Sequence, residues 1–104
     1  MKTFDVSNMD AWGYDQRSRN VFHETPESKM RVIDLAPGEG IPLCVMASHV
    51  VFVCVDGQAF VTVNGEEATI GSGQGVVTEP ATVSMRTDVG AKLLGVQVRP
   101  APVT

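Results

Sequence analysis

From residue 20 onward, short runs of β-prone residues alternate with short segments rich in glycine and proline. In Lys29–Leu35, the side chains of Arg31, Ile33 and Leu35 would share one face of a strand, with the intervening residues on the other face. Val50–Val55 is almost continuously apolar, which is typical of a strand covered on both faces. No stretch keeps a helical period. The pattern therefore predicts an all-β domain of the sandwich or barrel type.

Turn residues separate the predicted strands. Asn64-Gly65 is the strongest hairpin signal, because two-residue hairpin turns need residues that tolerate positive φ. Asp56-Gly57 is predicted to turn the chain, and Pro80 suits the end or edge of a strand. The predicted strands cover residues 20–24, 29–35, 41–47, 50–55, 59–63, 67–70, 75–78, 82–87 and 92–98.

The composition indicates one folded domain with extensions at both ends. The 104 residues suit a single domain, and a hydrophobic fraction of 43% supplies one core. We divide the chain into an N-terminal arm (1–19), a β-barrel (20–98) and a C-terminal tail (99–104). The arm is polar apart from isolated apolar and aromatic residues, among them Phe4, Trp12 and Tyr14.

The net charge and the number of cysteines indicate which kinds of partner and which cellular compartment to expect. A net charge of −4 argues against a nucleic-acid surface, which needs a basic patch. Cys44 and Cys54 are too few for the disulfide framework of a small secreted domain, so a Cys44–Cys54 bridge is a minor option. No run is long enough to cross a membrane, and the first residues have no apolar signal-peptide core. We expect a cytoplasmic protein with reduced thiols.

Two segments carry a family resemblance. The first runs from Gly38-Glu39-Gly40-Ile41-Pro42 through Cys44-Val45-Met46 to Gly57, and the second from Gly73 through Pro80 to Met85. In order and spacing they resemble the two motifs of the small single-domain cupins, over residues 30–98. The resemblance implies a cupin jelly roll, which is a double-stranded β-helix barrel, and a homodimer. A dimer would favour packing of the arm's aromatic residues on the partner over closure of the chain's own pocket.

The resemblance also places this chain's residues on the family's metal-ligand positions. Cys44 and Met46 fall on the two histidines of the first motif, and Val50 falls on its glutamate. Met85 falls on the histidine of the second motif. All four positions depart from the family pattern, so the metal enzymology of the family does not transfer.

The substituted positions have a chemistry of their own. Cys44 and Met46 are two residues apart, so both side chains point to one face of a strand, and Met85 would face them from another strand. Such soft sulfur ligands favour Cu(I) over Mg, Ca or Mn. His49 could complete the site, although regular alternation with Val50 points it outward unless a bulge intervenes. His23, the other histidine, lies on an early strand.

Several interpretations stay open. The sulfur positions form either a Cu(I) site or an apolar pocket that once held a metal, since methionine and cysteine are common core residues. Cys54 is expected to be a small buried residue. We consider three functions: a sensor or carrier that binds a small ligand or Cu(I), a metal-dependent isomerase or lyase, and a metal-free dimeric interaction domain. Fold alone does not decide among them.

Overall fold

Residues 1–101 are described by a computed structural model of the chain. Two short 3₁₀ segments, Val6–Asn8 and Tyr14–Asn20, precede the strands. The strands of the described range are β1 (Val21–Glu24), β2 (Ser28–Leu35), β3 (Gly40–Met46), β4 (His49–Val63), β5 (Glu66–Gly71), β6 (Gly75–Thr78), β7 (Ala81–Arg86) and β8 (Ala91–Val98).

The strands form two antiparallel sheets that share β4. The first sheet has the order β1-β2-β8-β4-β6, and the second has the order β5-β4-β7-β3. Because the long strand β4 continues from one sheet into the other, the sheets curl around a common interior as a half-barrel. This confirms the predicted all-β jelly-roll class.

The predicted turn at Asp56-Gly57 is wrong, because β4 continues through both residues without reversing direction. The register of β4 against β8 shifts between Cys54 and Asp56, which marks a bulge. Gly57 has a φ of +85°, and an added Cβ would lie 2.1 Å from the carbonyl oxygen of Gly90. The glycine therefore permits a bend and a close backbone approach where β4 passes between the sheets, without reversing the chain.

The hairpin predicted at Asn64-Gly65 is confirmed. These two residues join β4 to β5, with φ values of 49° and 82°. Positive φ at both positions is the requirement of a type I′ turn. The Asn64 side chain also accepts a hydrogen bond from the backbone amide of Thr82 at 3.0 Å, which ties the turn to β7.

Alternation along the strands fills the interior. In β4, for example, Val50, Phe52 and Cys54 are buried, whereas the residues between them are half-buried on the outer face. The most completely enclosed part, which we call the packed core, contains Cys54, Ala59, Val61, Ile70 and Leu93. Both cysteines are free, so the optional Cys44–Cys54 disulfide is not formed.

The N-terminal arm lies on its own domain. Val6 is buried where the first 3₁₀ segment packs on β8 and β4, and Lys92 Nζ donates to the carbonyl of Ser7 at 3.2 Å. The rings of Phe4 and Phe22 are 4.9 Å apart. These contacts anchor the first part of the arm on its own domain.

The other end of the chain follows β8 as irregular backbone. The Arg99 amide donates to the carbonyl of Glu27, and Pro100 and Ala101 belong to no strand. Residues 102–104 of the predicted tail lie outside the described range. Among residues 1–101, no helix is long and apolar enough to span a membrane.

Candidate functional site

A cavity of about 240 Å³ lies inside the half-barrel, between the first sheet and strands β3 and β7 of the second. The second 3₁₀ segment and the residues before it form its remaining wall. We call this cavity the barrel pocket. It is lined by Trp12, Tyr14, Arg17, Asn20, Arg31, Ile33, Asp34, Leu35, Ile41, Cys44, Met46, Val50, Phe52, Val83, Gly95, Val96 and Gln97.

Much of the pocket wall is apolar. Ile33, Val50, Phe52 and Val83 are buried side chains that also belong to the hydrophobic core. They reach the interior because each occupies an inward position of its strand. The pocket is therefore an extension of the core that the side chains do not fill, and most of its surface favours apolar groups.

A polar wall adjoins this apolar surface. Arg31 is half-buried on the inward face of β2, and its Nη2 donates to Gln97 Oε1 at 3.3 Å. Burial lowers the pKa of Arg31, and the nearby positive charge of Arg17 lowers it further. Arginine nevertheless stays protonated in proteins, so the pocket contains a partly desolvated positive charge.

The arm presents aromatic and cationic groups to the pocket. Asn20 is buried and fixes Trp12 through two bonds: its Oδ1 accepts from the Trp12 amide at 2.7 Å, and its Nδ2 donates to the Trp12 carbonyl at 2.9 Å. The Arg17 guanidinium stacks 4.1 Å from the centre of the Tyr14 ring and donates to the Tyr14 carbonyl. Arg19 stacks in the same way on Trp12. These contacts hold the arm's rings at the pocket of their own chain.

Tyr14 connects the arm to the barrel through Cys44. The Tyr14 hydroxyl lies 3.3 Å from Cys44 Sγ, and the thiol itself donates to the Pro42 carbonyl at 3.2 Å. With the thiol hydrogen engaged by Pro42, the hydroxyl is the donor to the sulfur. This bond, together with burial, raises the pKa of Tyr14, because it stabilises the protonated phenol.

The structure brings together only part of the predicted sulfur site. Cys44 and Met46 both line the barrel pocket. Met85 is buried in the core and is not among the lining residues; β3 places Ile41, rather than Cys44, opposite it. Val50, at the family's glutamate position, is 1% exposed and supplies pocket wall.

Neither histidine lies at the pocket. The pairing of β4 with β8 is regular from His49 to Cys54, so no bulge turns His49 inward and it shares the outer face with Val51. His23 is exposed on β1. Within residues 1–101, no group of three or more His, Cys, Asp or Glu side chains could hold a metal ion. The residues present therefore do not fit a metal of the oxygen- and nitrogen-ligated kind.

Sequence reasoning missed the polar residues of the pocket. Arg31 shares its strand face with Ile33 and Leu35, and Gln97 shares its face with Leu93. A charged residue at an inward position of an otherwise apolar face was the available signal for Arg31. Nothing in the sequence placed Arg17 and Asn20 at the barrel, because their positions depend on how the arm folds back.

Comparison with known proteins identifies the fold. A cupin superfamily protein from Desulfitobacterium hafniense aligns with a TM-score of 0.71 at 10% identity, over 77% of this chain and 74% of that one. A conserved protein of unknown function from Streptococcus pyogenes aligns with a TM-score of 0.77 at 19% identity, over 97% and 90% of the two chains.

A cupin 2 conserved barrel domain protein from Leptotrichia buccalis aligns with a TM-score of 0.73 at 16% identity, over 76% of this chain but only 39% of that one. No protein-family model matches the sequence, and no curated protein does. At these identities the likeness concerns the fold. The chain has the cupin fold, which confirms the fold that the two sequence motifs implied.

Proposed function

We propose that this cupin-fold protein binds a small organic molecule in the barrel pocket and acts as a sensor or carrier. The observation that carries the proposal is the cavity of about 240 Å³, whose largely apolar wall includes a few polar groups. Ligand sites commonly have this composition, because apolar surface supplies affinity while a few polar groups set orientation.

The size of the cavity limits the ligand. A water molecule in the liquid takes roughly 30 Å³, so the pocket has the volume of about eight waters. That corresponds to a molecule of about ten non-hydrogen atoms, such as a substituted benzene. The lining residues include no histidine and one carboxylate, Asp34, which is exposed. Acid–base catalysis has few candidates there, and this favours binding over an isomerase or lyase activity.

The test is a matched pair of cavity-filling variants. Met46→Trp places a large ring in the pocket, whereas Val45→Trp adds the same ring at the next residue, which is exposed on the outer face of β3. Binding of small fluorinated benzenes, measured by fluorine NMR, is expected in the wild type and in Val45→Trp and to be lost in Met46→Trp. No binding in the wild type, or equal binding by both variants, would contradict the proposal.

Cu(I) is the second candidate ligand, supported by Cys44 and Met46 on the wall of the same pocket. Anaerobic titration with Cu(I) against a competing chelator tests it. Cys44→Ser and Met46→Leu should each weaken the affinity, and Met30→Leu, which changes a methionine that does not line the pocket, should not. Unchanged affinity in the first two variants would exclude the sulfur site.

A further inference from the structure

Arg31 is a cation without an acidic partner in the barrel pocket. It is half-buried, and its guanidinium donates a hydrogen bond to Gln97. The ion pairs found among residues 1–101 involve Lys29 and Arg86 but not Arg31. Taking a charge out of water without a counter-charge is costly, and a bound anion would offset that cost.

Arg17 adds a second positive charge from the arm. Its guanidinium lies over the Tyr14 ring, and both arginines line the pocket. Asp34, the acidic residue of the lining, is exposed and alternates with Ile33, on the strand face opposite Arg31. The pocket is therefore locally positive in a chain whose net charge is −4.

The nearby acidic residues offset this charge only in part, since the charge of Glu24 raises the pKa of Arg31 but Glu24 makes no ion pair with it. Arg17 and Arg31 also line a neighbouring polar cavity of about 340 Å³, together with Asp15, Glu24 and Lys29. Glu24 is already engaged there, with its Oε2 3.7 Å from Lys29 Nζ. Asp15 is exposed on the arm and makes no ion pair among the described residues. Among the charged residues that line the barrel pocket, the two guanidinium groups thus outnumber the single carboxylate, Asp34.

A carboxylate matches the arginine chemistry, and an apolar body matches the apolar residues beside the arginine. The planar guanidinium offers parallel N–H donors that fit the two oxygens of a carboxylate. Ile33, Val50 and Phe52 would cover the rest of the ligand. The cavity volume holds a ring or short chain but no large second group.

We infer that the barrel pocket selects small monocarboxylates with an apolar body, with Arg31 binding the carboxylate and Arg17 approaching it from the arm. The inference rests on the proposed function, since it names the ligand class of the same pocket. Gln97 is a positioning residue, because its hydrogen bond orients the Arg31 side chain.

The test compares para-fluorobenzoate with para-fluorobenzamide, which have nearly the same shape and differ in charge. Fluorine NMR titration should show the acid binding about tenfold more tightly than the amide, as expected for a charge-assisted hydrogen bond. Arg31→Met should abolish this preference, and Arg31→Lys should retain part of it. Arg86→Met removes a positive charge from β7 outside both cavities and should keep the preference.

The outcomes separate this inference from the proposed function. If the wild type binds acid and amide equally, or Arg31→Met keeps the preference, the inference is wrong, whereas loss of amide binding in Met46→Trp would still support the pocket. If neither compound binds the wild type, both proposals fail. Should Arg31→Met not fold, the acid–amide ratio of the wild type and of Arg31→Lys decides the inference.

Discussion

The barrel pocket and the packed core are built from the same strands, yet their interiors differ. β4 contributes Cys54 to the packed core and Val50 to the pocket, and β8 contributes Leu93 and Gln97 in the same way. In the packed core the side chains enclose one another completely. At the pocket a gap remains between the sheets, and the N-terminal arm covers it. An inward position therefore does not define a role until the distance between the sheets and the position of the arm are known.

The two cysteines show the same contrast between the packed core and the barrel pocket. Both point inward, but Cys54 is 0% exposed and its thiol donates to the carbonyl of Asp56 at 3.4 Å. Cys44 is half-buried, lines the pocket and contacts Tyr14. The first residue fills space, and the second lies where a ligand and the arm meet.

The largest expected difference between the two regions is in stability. Leu93→Ala should destabilise the protein by about 2–5 kcal/mol, because it leaves a cavity in the packed core. Met46→Ala should cost only about 1 kcal/mol, because Met46 is half-buried beside an existing cavity. Urea unfolding monitored by circular dichroism measures both, and equal losses would show that the pocket is packed as tightly as the core.

The bend of β4 beside the packed core supplies the next prediction. Gly57→Ala should destabilise by more than about 2 kcal/mol, since the new Cβ meets the Gly90 backbone and φ is positive. Gly73→Ala is the matched control, with a φ of +82° and nothing within 4 Å of its Cβ, and should cost about 1 kcal/mol. Thermal unfolding of both variants checks this, and a smaller loss at Gly57 would mean that β4 and the Gly90 loop can separate freely.

Thiol modification should distinguish the two cysteines. Cys44 is expected to react with maleimide in the folded protein, whereas Cys54 should react at least about tenfold more slowly, because burial excludes the reagent and raises the pKa of the Cys54 thiol. Mass spectrometry after peptide digestion gives the rate at each site. Cys54→Ala and Cys44→Ala serve as single-thiol controls, and comparable rates would contradict the enclosure of the core.

The smallest effect concerns the contact between the arm and the pocket. Tyr14 is the single tyrosine of the sequence, so its absorbance titration is unambiguous. Its pKa should lie above the usual value of 10.0, and Cys44→Ala should lower it, because the variant removes the sulfur acceptor. The stability contributed by protonated Tyr14 is present below about pH 10 and is lost as the pH rises through the folded-state pKa. An unchanged Tyr14 titration in Cys44→Ala would show that the Tyr14 hydroxyl does not hydrogen-bond to the Cys44 sulfur.

Most of the fold could be predicted from local patterns. The strand alternation, the Asn64-Gly65 turn and the two motifs imply the jelly roll, because each depends on residues close together in the chain. The sequence pattern assigned Gly57 to a turn between two strands. A glycine with positive φ suits both such a reversal and a bend within one continuous strand, so the residue type does not distinguish them. The homodimer, the domain boundaries and the cytoplasmic location stay predictions.

The candidate site was only partly predictable. Cys44 and Met46 were placed inward by their spacing, and the structure puts both at the pocket. The spacing could not show that Met85 is buried away from the pocket lining, since that depends on the pairing of β7 with β3 and β4. The polar wall of Arg31 and Gln97 arises from the pairing of β2 with β8, whose residues are 66 positions apart at this contact.

The sequence by itself determined the all-β class, the hairpin and the inward position of the two sulfur residues, because alternation and turn propensity act over a few residues. Only the tertiary structure decided that a cavity remains beside Cys44 and that an arginine without an acidic partner lines it. It also decided that Trp12 and Tyr14 of the arm line this cavity. These features depend on how far apart two sheets settle and where a terminal segment folds back, and both are set by packing across the whole domain.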